Sequence, residues 1–221
     1  MDTQAHHREI PIPTEGRLIR WASVYDATVN LMTLGQAGRL RRMTVQQALL
    51  QPGESVLDVG CGTGGVTLPA KRQVGAGGRA AGIHPAPEMI AVARRKAARA
   101  GLEIDFRLGV IESLPFAEAS FDAVTSSLMM HHLPEQVRVD GLADIRRVLK
   151  PGGRFLVADM MRPGASFLGR VTSTVLHHGH AVQFGIEDLP ALLQEAGFYE
   201  INQLGEHFLR IGFVRAAKPT A

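Results

Sequence analysis

Ser55-Val56-Leu57-Asp58-Val59-Gly60-Cys61-Gly62-Thr63-Gly64-Gly65 is the stretch of this 221-residue chain that decides its fold. The run from Val56 to Val59 is β-branched and apolar, as in a buried strand. The next six residues contain four glycines, and an apolar pattern with helical spacing follows at Val66, Leu68 and Ala70. A strand, a glycine turn and a helix in this order indicate the first unit of a doubly wound α/β fold.

The glycine turn is suited to holding a ligand. Glycine lets the chain reverse sharply and lets a bound molecule approach the backbone without meeting a Cβ atom, and the following helix offers N–H groups at its N-terminus. Gly60, Gly62 and Gly65 fit the dinucleotide pattern G-x-G-x-x-G. Asp58 with Gly60, Gly62 and Gly64 fits a second pattern, acidic-x-G-x-G-x-G. A turn that only connects a strand with a helix is the third interpretation.

Strands and helices alternate through the rest of the chain. We predict further strands at 79–83, 104–108, 121–127, 154–159, 198–204 and 208–214, helices at 87–100, 134–149 and 189–196, and a turn at Lys150-Pro151-Gly152-Gly153. This alternation favours a sheet of mostly parallel strands with helices on both faces. The predicted fold is α/β, with a doubly wound, mainly parallel, seven-stranded sheet.

The first 50 residues are predicted to form a separate N-terminal part. Residues 1–50 are expected to be an arm and a helical cap, and residues 51–221 one compact Rossmann-like unit. Apolar residues recur at helical spacing at Leu18, Trp21, Tyr25, Val29 and Met32. Because this segment leads directly into the glycine strand, we expect it to cap the ligand pocket.

Composition excludes several classes of protein. Hydrophobic residues make up 45% of the chain and charged residues 20%, as in globular proteins. The net charge is only +3 and the basic residues are dispersed, so we predict no nucleic-acid partner. No apolar run approaches the ~20 residues that span a bilayer, and the N-terminus lacks the apolar core of a signal peptide. We therefore predict no membrane span.

The cysteine content bears on the compartment. Cys61 is the single cysteine, so no internal disulfide can form. With no signal peptide visible, we predict a cytoplasmic protein. The sequence leaves the formation of a homo-oligomer open.

Four blocks, in order, resemble the class I S-adenosylmethionine-dependent methyltransferase family, above all its quinone-biosynthesis-like and small-molecule members. They run from Val56 to Gly64, from Gly82 to Ile90, from Glu112 to Val124, and from Arg146 to Arg154. Tyr25-Asp26 is also similar to the start of the quinone-biosynthesis group. The resemblance favours the acidic-x-G-x-G-x-G interpretation over the dinucleotide one and implies a Rossmann-like methyltransferase fold.

The resemblance implies S-adenosylmethionine as cofactor, S-adenosylhomocysteine as its product, and methyl transfer to a small or lipophilic molecule. Carried over residue by residue, it predicts cofactor contacts in the glycine turn, at the end of strand two, and on the loops before and after strand four. These residues are Asp58, Gly60, Cys61, Gly62, Thr63, Gly64, His84, Pro85, Met89, Ile111, Glu112, Ser126 and Ser127.

Two positions depart from the family pattern. Relatives usually carry Asp or Glu where this chain has His84, and many carry Asp where it has Val110. An imidazole cannot accept two ribose hydroxyls as a carboxylate does, and losing a charged acceptor weakens binding by about 1.5–3 kcal/mol. The alternative function is therefore a non-catalytic binding or interaction protein that kept this fold with weakened cofactor affinity.

The candidate catalytic residues are His131, His132 and Tyr25. Methyl transfer is a displacement at a sulfonium methyl group, so alignment of the reactants supplies much of the catalysis. A base is needed only when the acceptor must lose a proton. Both histidines follow strand four, at the carboxyl edge where α/β proteins bind ligands. The alternative is that they only orient the following helix.

We expect the acceptor to be a small apolar molecule. Its chamber is predicted to be lined by Trp21, Tyr25, Met129, Met130 and the segment from Phe167 to Leu176. No metal is predicted, because His177, His178 and His180 have no Asp or Cys beside them and their spacing does not supply the geometry of a catalytic zinc site.

Overall fold

The computed structural model describes residues 22–162 and 184–220 of the chain. Its strands are β1 (Ser55–Val59), β2 (Arg79–His84), β3 (Asp105–Leu108), β4 (Phe121–Ser127), β5 (Leu149–Met160), β6 (Tyr199–Phe208) and β7 (Ile211–Ala217). They form one sheet in the order β3-β2-β1-β4-β5-β7-β6. The predicted segments Trp21, Phe167–Leu176 and His177–His180 lie outside the described residues.

The described helices are α1 (Ala22–Met32), α2 (Ala37–Gln47), α3 (Thr67–Val74), α4 (Pro87–Arg99), α5 (Glu135–Val148) and α6 (Leu189–Glu195). Single helical turns also lie at Met130–His132 and Ile186–Asp188. Within the described ranges, no helix combines the length and the apolar character needed to cross a membrane.

The strand order places a ligand-binding crevice beside β1. β1 pairs in parallel with β2 on one side and with β4 on the other, and β3 and β5 continue the parallel sheet outward. β7 runs antiparallel between β5 and β6. After β1 the chain continues to β2 on one side, and after β3 it returns to β4 on the other side of β1. The carboxyl ends of β1 and β4 therefore form the switch point where such sheets bind ligands. The predicted mainly parallel, seven-stranded sheet is confirmed.

Each face of the sheet is covered by an apolar layer. On one face, side chains of α5 and α6 such as Ile145 and Leu193 pack on β4 and β5. On the other face, Leu40 and Val45 of α2 pack with side chains of α3 and the sheet. The second helix of the predicted cap thus shares a core with the sheet, and the division into cap and domain remains a prediction.

Two predicted boundaries differ from the structure. The predicted turn at Lys150–Gly153 is the start of β5, because Gly152 and Gly153 exchange backbone hydrogen bonds with Lys218. The final hairpin turns near Leu209 and not near Gly205, because buried Phe208 pairs with Ile211. The residues between Leu204 and Phe208 are accommodated in β6 by a shift in its register with β7.

A clamp at Arg154 joins the end of α2 to β1. Its guanidinium donates to the carbonyls of Ala48 (2.6 Å) and Leu49 (2.7 Å) and to both carboxylate oxygens of Glu54 (2.9 and 2.5 Å). The side chains of the pair are 18% and 19% exposed. Burial opposes ionisation of Glu54, but hydrogen bonds from Arg154 and from the Gln51 N–H outweigh it and lower the pKa of this carboxyl.

Replacing Arg154 with methionine should lower the free energy of unfolding by about 2–3 kcal/mol, because two carbonyls and a carboxylate lose their donor. Denaturant unfolding at pH 7 measures the change. The matched control is Arg99→Met at an exposed position, with an effect within about 0.5 kcal/mol. Since a lowered carboxyl pKa stabilises the fold above the unfolded value, the difference should shrink as the pH falls below 4.5. Equal losses in both variants would refute the clamp.

Candidate functional site

The glycine turn is held against the end of β2. The backbone N–H groups of Gly60 and Cys61 both donate to the Ile83 carbonyl, at 3.0 and 2.9 Å. Gly60, Gly62 and Gly64 have φ angles of +75°, +53° and +81°, a region that favours glycine over residues with a Cβ atom. The turn therefore needs glycine at alternate positions for its backbone path.

Two side chains lie directly over the turn. A Cβ atom added to Gly60 would come within 2.6 Å of Met129 Cγ, and one added to Gly62 within 3.3 Å of Tyr25 Cε1. Gly64 faces the other way, where a Cβ atom would be 2.7 Å from Leu68 Cδ1 and 3.1 Å from Phe106. Gly60 and Gly62 thus allow Met129 and Tyr25 to lie close to the turn, and Gly64 allows close packing of α3.

Asp58 ties three elements together beneath the turn. It is buried at the end of β1, where Oδ2 accepts a hydrogen bond from Thr67 Oγ1 (2.6 Å) and Oδ1 accepts one from Thr125 Oγ1 (3.0 Å). Burial raises the pKa of Asp58 to about 6, although both threonine hydroxyls favour its charged form. The carboxylate fixes α3 and β4 relative to the glycine turn.

A polar cluster fastens α1 over the turn. The carboxylate of Asp26 accepts hydrogen bonds from Arg41 (2.8 Å), from Thr63 Oγ1 (3.0 Å) and from Lys96. Lys96 also donates to Thr63 Oγ1 at 2.9 Å. Burial opposes the charge on Asp26, but Lys96 and the other donors outweigh it and lower the pKa of this carboxyl. The cluster joins α1, α2, the turn and α4.

A pocket opens between α1, α2, the turn and the end of β4. It is a small cavity of about 40 Å³, and is lined by Tyr25, Val29, Ala37, Leu40, Arg41, Asp58, Gly60, Cys61, Thr63, Gly65, Val66, Ser127 and Leu128. It is more polar than the predicted chamber because Arg41, Asp58 and Thr63 line it. The expectation for Met130 was wrong, since that side chain is buried in the core.

His84 lies at the end of β2, next to Ile83, whose carbonyl holds the turn. Its Nδ1 accepts a hydrogen bond from the Ala86 N–H at 3.1 Å, which leaves the hydrogen of a neutral ring on Nε2. Burial lowers the pKa of His84 to about 4, because it disfavours the charged imidazolium. At neutral pH this side chain therefore offers one N–H donor where a carboxylate would offer acceptors.

Four other predicted cofactor contacts, near the ends of β2 and β3, lie beside the turn and do not line the pocket. Met89 is fully buried against Ala86 and contacts Tyr25. Pro85 and Glu112 are half-buried, and Ile111 packs against Gly141 in the core. These positions flank the carboxyl ends of β2 and β3.

Ser126 and Ser127 end β4 differently. Ser127 lines the pocket, whereas Ser126 is fully buried on the opposite face of the sheet. Within the described residues, Ser126 Oγ has no hydrogen-bond partner. Ser126 is therefore separated from the pocket that Ser127 lines.

His131 and His132 lie on the helical turn after β4, beyond Met129. Their rings are 3.8 Å apart, and His131 Nδ1 contacts Asp159 Oδ1 at the end of β5. Neither histidine lines the pocket over the turn. Among the described residues, no group of three or more His, Cys, Asp or Glu side chains could hold a metal ion.

Comparison with known proteins identifies the family. Residues 56–153 match the family model described as a methyltransferase domain. The demethylmenaquinone methyltransferase of Symbiobacterium thermophilum is 37% identical over 149 residues, which cover 66% of this chain and 59% of that protein. The 2-phytyl-1,4-naphtoquinone methyltransferase of Synechococcus elongatus is 32% identical over 160 residues, or 72% of this chain and 68% of that protein. This chain belongs to the class I S-adenosylmethionine-dependent methyltransferase family.

Structural comparison supports the fold of this methyltransferase-family chain. A SAM dependent methyltransferase from Aquifex aeolicus superimposes with a TM-score of 0.66 at 19% identity, over 82% of this chain and 98% of that one. The chain spans 59% of the length of the Symbiobacterium enzyme, so the substrate in that enzyme's name is stated of that enzyme alone. S-Adenosylmethionine is the cofactor of the family, as the sequence blocks predicted.

The turn of this methyltransferase-family chain fits a sulfonium cofactor better than a dinucleotide. In the dinucleotide pattern the third glycine allows close packing of helix on strand. Here Gly64 has that packing role, while a Cβ atom on Gly65 would meet Arg41 Nε at 2.8 Å. The packing of Gly64 thus agrees with the pattern acidic-x-G-x-G-x-G, formed by Asp58, Gly60, Gly62 and Gly64.

Sequence patterns missed Arg41, Lys96 and Asp159. Arg41 and Lys96 meet Asp26 from two different helices, and Asp159 meets His131 from the neighbouring strand. Each belongs to an ordinary helix or strand pattern in the sequence. Only the pairing of β4 with β5, and the docking of α1 on α4, bring these charges to the site.

The buried groups His84 and Asp58 should give opposite pH dependences of stability. Because the pKa of His84 falls from 6.5 to about 4 on folding, the wild type should gain up to about 3 kcal/mol over His84→Asn as the pH rises from 4 to 7. Asn can still accept the Ala86 N–H. Because the pKa of Asp58 rises from 3.8 to about 6, the wild type should lose stability relative to Asp58→Asn over the same range.

Urea unfolding at several pH values measures both differences. A His84→Asn difference that stays flat between pH 4 and pH 7 would contradict the buried, neutral imidazole. The Asp58→Asn series is its internal check, because the two lines must slope in opposite directions.

Proposed function

We propose that this protein transfers a methyl group from S-adenosylmethionine to a small, mostly apolar acceptor. The observation that carries the proposal is the glycine turn, which lies beside a pocket at the carboxyl edge of β1 and β4 with Met129 over Gly60 and Tyr25 over Gly62. Bound S-adenosylmethionine would supply an electrophilic methyl group on a sulfonium sulfur. The protein's own task is then to hold and align two molecules.

The residues around the turn fit the parts of the cofactor. In this proposal the backbone at Gly60 and Gly62 borders the methionine and ribose portions, and His84 Nε2–H would donate to a ribose hydroxyl. Arg41 lines the pocket as a cation that can hold the methionine carboxylate. Half-buried Glu112 borders the adenine side in this proposal.

Tyr25 is the proposed contact between cofactor and acceptor. Its ring covers Gly62, and burial raises the pKa of its hydroxyl, although Arg41 nearby works in the other direction. The hydroxyl therefore keeps its proton at neutral pH and acts as a hydrogen-bond donor. His131 and His132 stand as candidate bases after β4, at the same edge of the sheet.

Two observations favour an apolar acceptor. The pocket wall contains Val29, Ala37, Leu40, Val66 and Leu128. The similar enzymes from Symbiobacterium and Synechococcus are named for quinones, which are flat rings with lipophilic tails. The cytoplasm as the place of action is a further part of this proposal, and the formation of a homo-oligomer stays open.

Gly62→Ala should weaken binding of S-adenosylhomocysteine by about tenfold or more, measured by titration calorimetry. The backbone of residue 62 has a φ of +53°, which disfavours alanine, and the added methyl group would lie 3.3 Å from the Tyr25 ring. The turn and the side chain above it must therefore both shift. Gly77→Ala is the matched control, because a Cβ atom there meets nothing within 4 Å. An unchanged dissociation constant for Gly62→Ala would place the cofactor elsewhere.

Apolar phenols or hydroquinones should raise the melting temperature of the protein saturated with S-adenosylhomocysteine. A ligand at a hundred times its dissociation constant stabilises the fold by about 2.7 kcal/mol, or about 5–10 °C for a chain of this size. Oligonucleotides at the same concentration are the control and should leave the melting temperature unchanged. A salt-sensitive shift with RNA, and none with phenols, would instead indicate nucleic-acid modification.

A further inference from the structure

Large apolar side chains are exposed on α1 and on the turn that follows it. Of the eight such side chains among the described residues, four lie close together in the chain, namely Val24 (49% exposed), Leu31 (77%), Met32 (48%) and Leu34 (73%). Another face of α1 carries Tyr25 and Asp26, which lie over the glycine turn. Single exposed apolar residues are ordinary on a protein surface, but a group of them marks a surface that binds a partner.

Leu34 is exposed at a position where leucine is costly. Its φ angle is +50°, a region that bulky residues rarely adopt and that glycine and asparagine adopt more readily. Leu209, at the tip of the hairpin between β6 and β7, has the same two properties, with a φ of +53° and an exposed fraction of 46%. Both turns therefore keep an exposed leucine where a polar residue would strain the backbone less.

The two leucines lie at the same end of the sheet. Arg39 lies between their turns: its Nη1 is 3.5 Å from Gln36 Oε1, in the turn between α1 and α2, and its Cζ is 5.8 Å from the centroid of the Phe208 ring, at the end of β6. Phe208 also belongs to the apolar cluster that contains Leu40, which lines the pocket. Both turns therefore border the side of the molecule on which the pocket lies.

The charge around these leucines is positive. From residue 27 to residue 53 the sequence contains three arginines and no Asp or Glu. Arg41 is held in the polar cluster over the glycine turn. Arg39 and Arg42 are exposed, and neither forms an ion pair with another described residue. Arg42 Nη1 is 3.6 Å from the place of a Cβ atom on Gly38, so this cation lies at the start of α2, near the same turn.

We propose that α1, the turn after it and the tip of the β6–β7 hairpin form a docking surface for a membrane that contains anionic lipids. Leu31, Leu34 and Leu209 would enter the headgroup region, while Arg39 and Arg42 would bind lipid phosphates. An apolar acceptor dissolved in the bilayer could then reach the pocket from the side on which the protein is docked. That last step rests on the proposed methyl transfer, but the docking does not.

Charge distinguishes a membrane from the other partners. A symmetric dimer through the docking surface would bring the exposed arginines of two copies close together, and like charges oppose association. A nucleic acid would pair with the arginines but would leave the leucines in water. An anionic bilayer offers phosphates to the arginines and an apolar layer to the leucines at the same time.

Vesicle flotation measures the docking. The protein should float with vesicles made of equal amounts of phosphatidylcholine and phosphatidylglycerol, and should stay in solution with vesicles of phosphatidylcholine alone, because each arginine near an anionic surface strengthens binding by about fivefold. Added salt should weaken the binding, since it screens these charges. Equal binding to both kinds of vesicle, or binding to neither, overturns the proposal.

The double variant Leu34→Asn, Leu209→Asn removes the apolar contacts without straining the fold. Asparagine adopts a positive φ more readily than leucine, so the melting temperature should stay the same or rise. Partition onto the anionic vesicles should nevertheless fall by about tenfold or more, because two apolar side chains no longer leave water. A melting temperature that falls together with the binding would assign these leucines to the fold and overturn the proposal.

Leu49→Asn is the matched control. Leu49 is also exposed, with a φ of +51°, but it follows α2 at the opposite end of the sheet, where Arg154 binds its carbonyl near the start of the paired part of β5. This variant should leave vesicle binding unchanged. Equal losses in the control and in the double variant would refute the docking surface.

Arg39→Gln together with Arg42→Gln tests the charges. This variant should lower binding to the anionic vesicles by about tenfold or more. Arg95→Gln together with Arg99→Gln, at two exposed positions on α4, removes the same charge and should have little effect. Equal losses in the two variants would mean that only net charge matters, which overturns the proposal.

Sedimentation without vesicles tests for a second copy as the partner. A dimer that depends on protein concentration, and that the two asparagine substitutions at Leu34 and Leu209 abolish, would assign the surface to self-association and overturn the proposal. A single monomeric species together with flotation supports it. Flotation requires neither cofactor nor acceptor, so its result stands whether or not the protein transfers methyl groups.

Discussion

The site depends on the buried carboxylate of Asp58 and its two threonine partners. Thr67 lies at the start of α3 and Thr125 within β4, so one side chain determines how the helix, the neighbouring strand and the glycine turn meet. The raised pKa of Asp58 reflects the free energy that this buried charge costs. The two hydroxyls offset part of that cost, which makes the arrangement specific: an apolar residue could fill the space but could not position both partners.

Helix α1 is joined to the site by a comparable set of hydrogen bonds. Asp26 accepts hydrogen bonds from a hydroxyl of the turn and from cations on two helices. These side chains are about one-third exposed, so the pairs are screened by solvent and each contributes little on its own. Helix α1 is therefore positioned by several weak contacts, while Arg154 anchors the end of α2 to the sheet through partly buried ones.

Features that depend on neighbouring residues were predicted from the sequence. Contacts between residues far apart in the chain were missed. The turn from Gly60 to Gly64, the strands and the cofactor family followed from local patterns and from four ordered blocks. Asp159 was missed because its partner His131 is 28 residues away and meets it only through the pairing of β4 with β5. The position of the final hairpin was also missed, because buried Phe208 ends β6 where the sequence pattern predicted the start of the next strand.

The two outer strands of the sheet bear on solubility. At one edge, β3 is only four residues long and carries the exposed, oppositely charged pair Asp105 and Arg107. At the other edge, β6 has two register shifts and an outward Glu200 with a φ of +48°. Short, charged or irregular edges are poor templates for another strand. Both ends of the sheet therefore resist the edge-to-edge pairing that leads to aggregation.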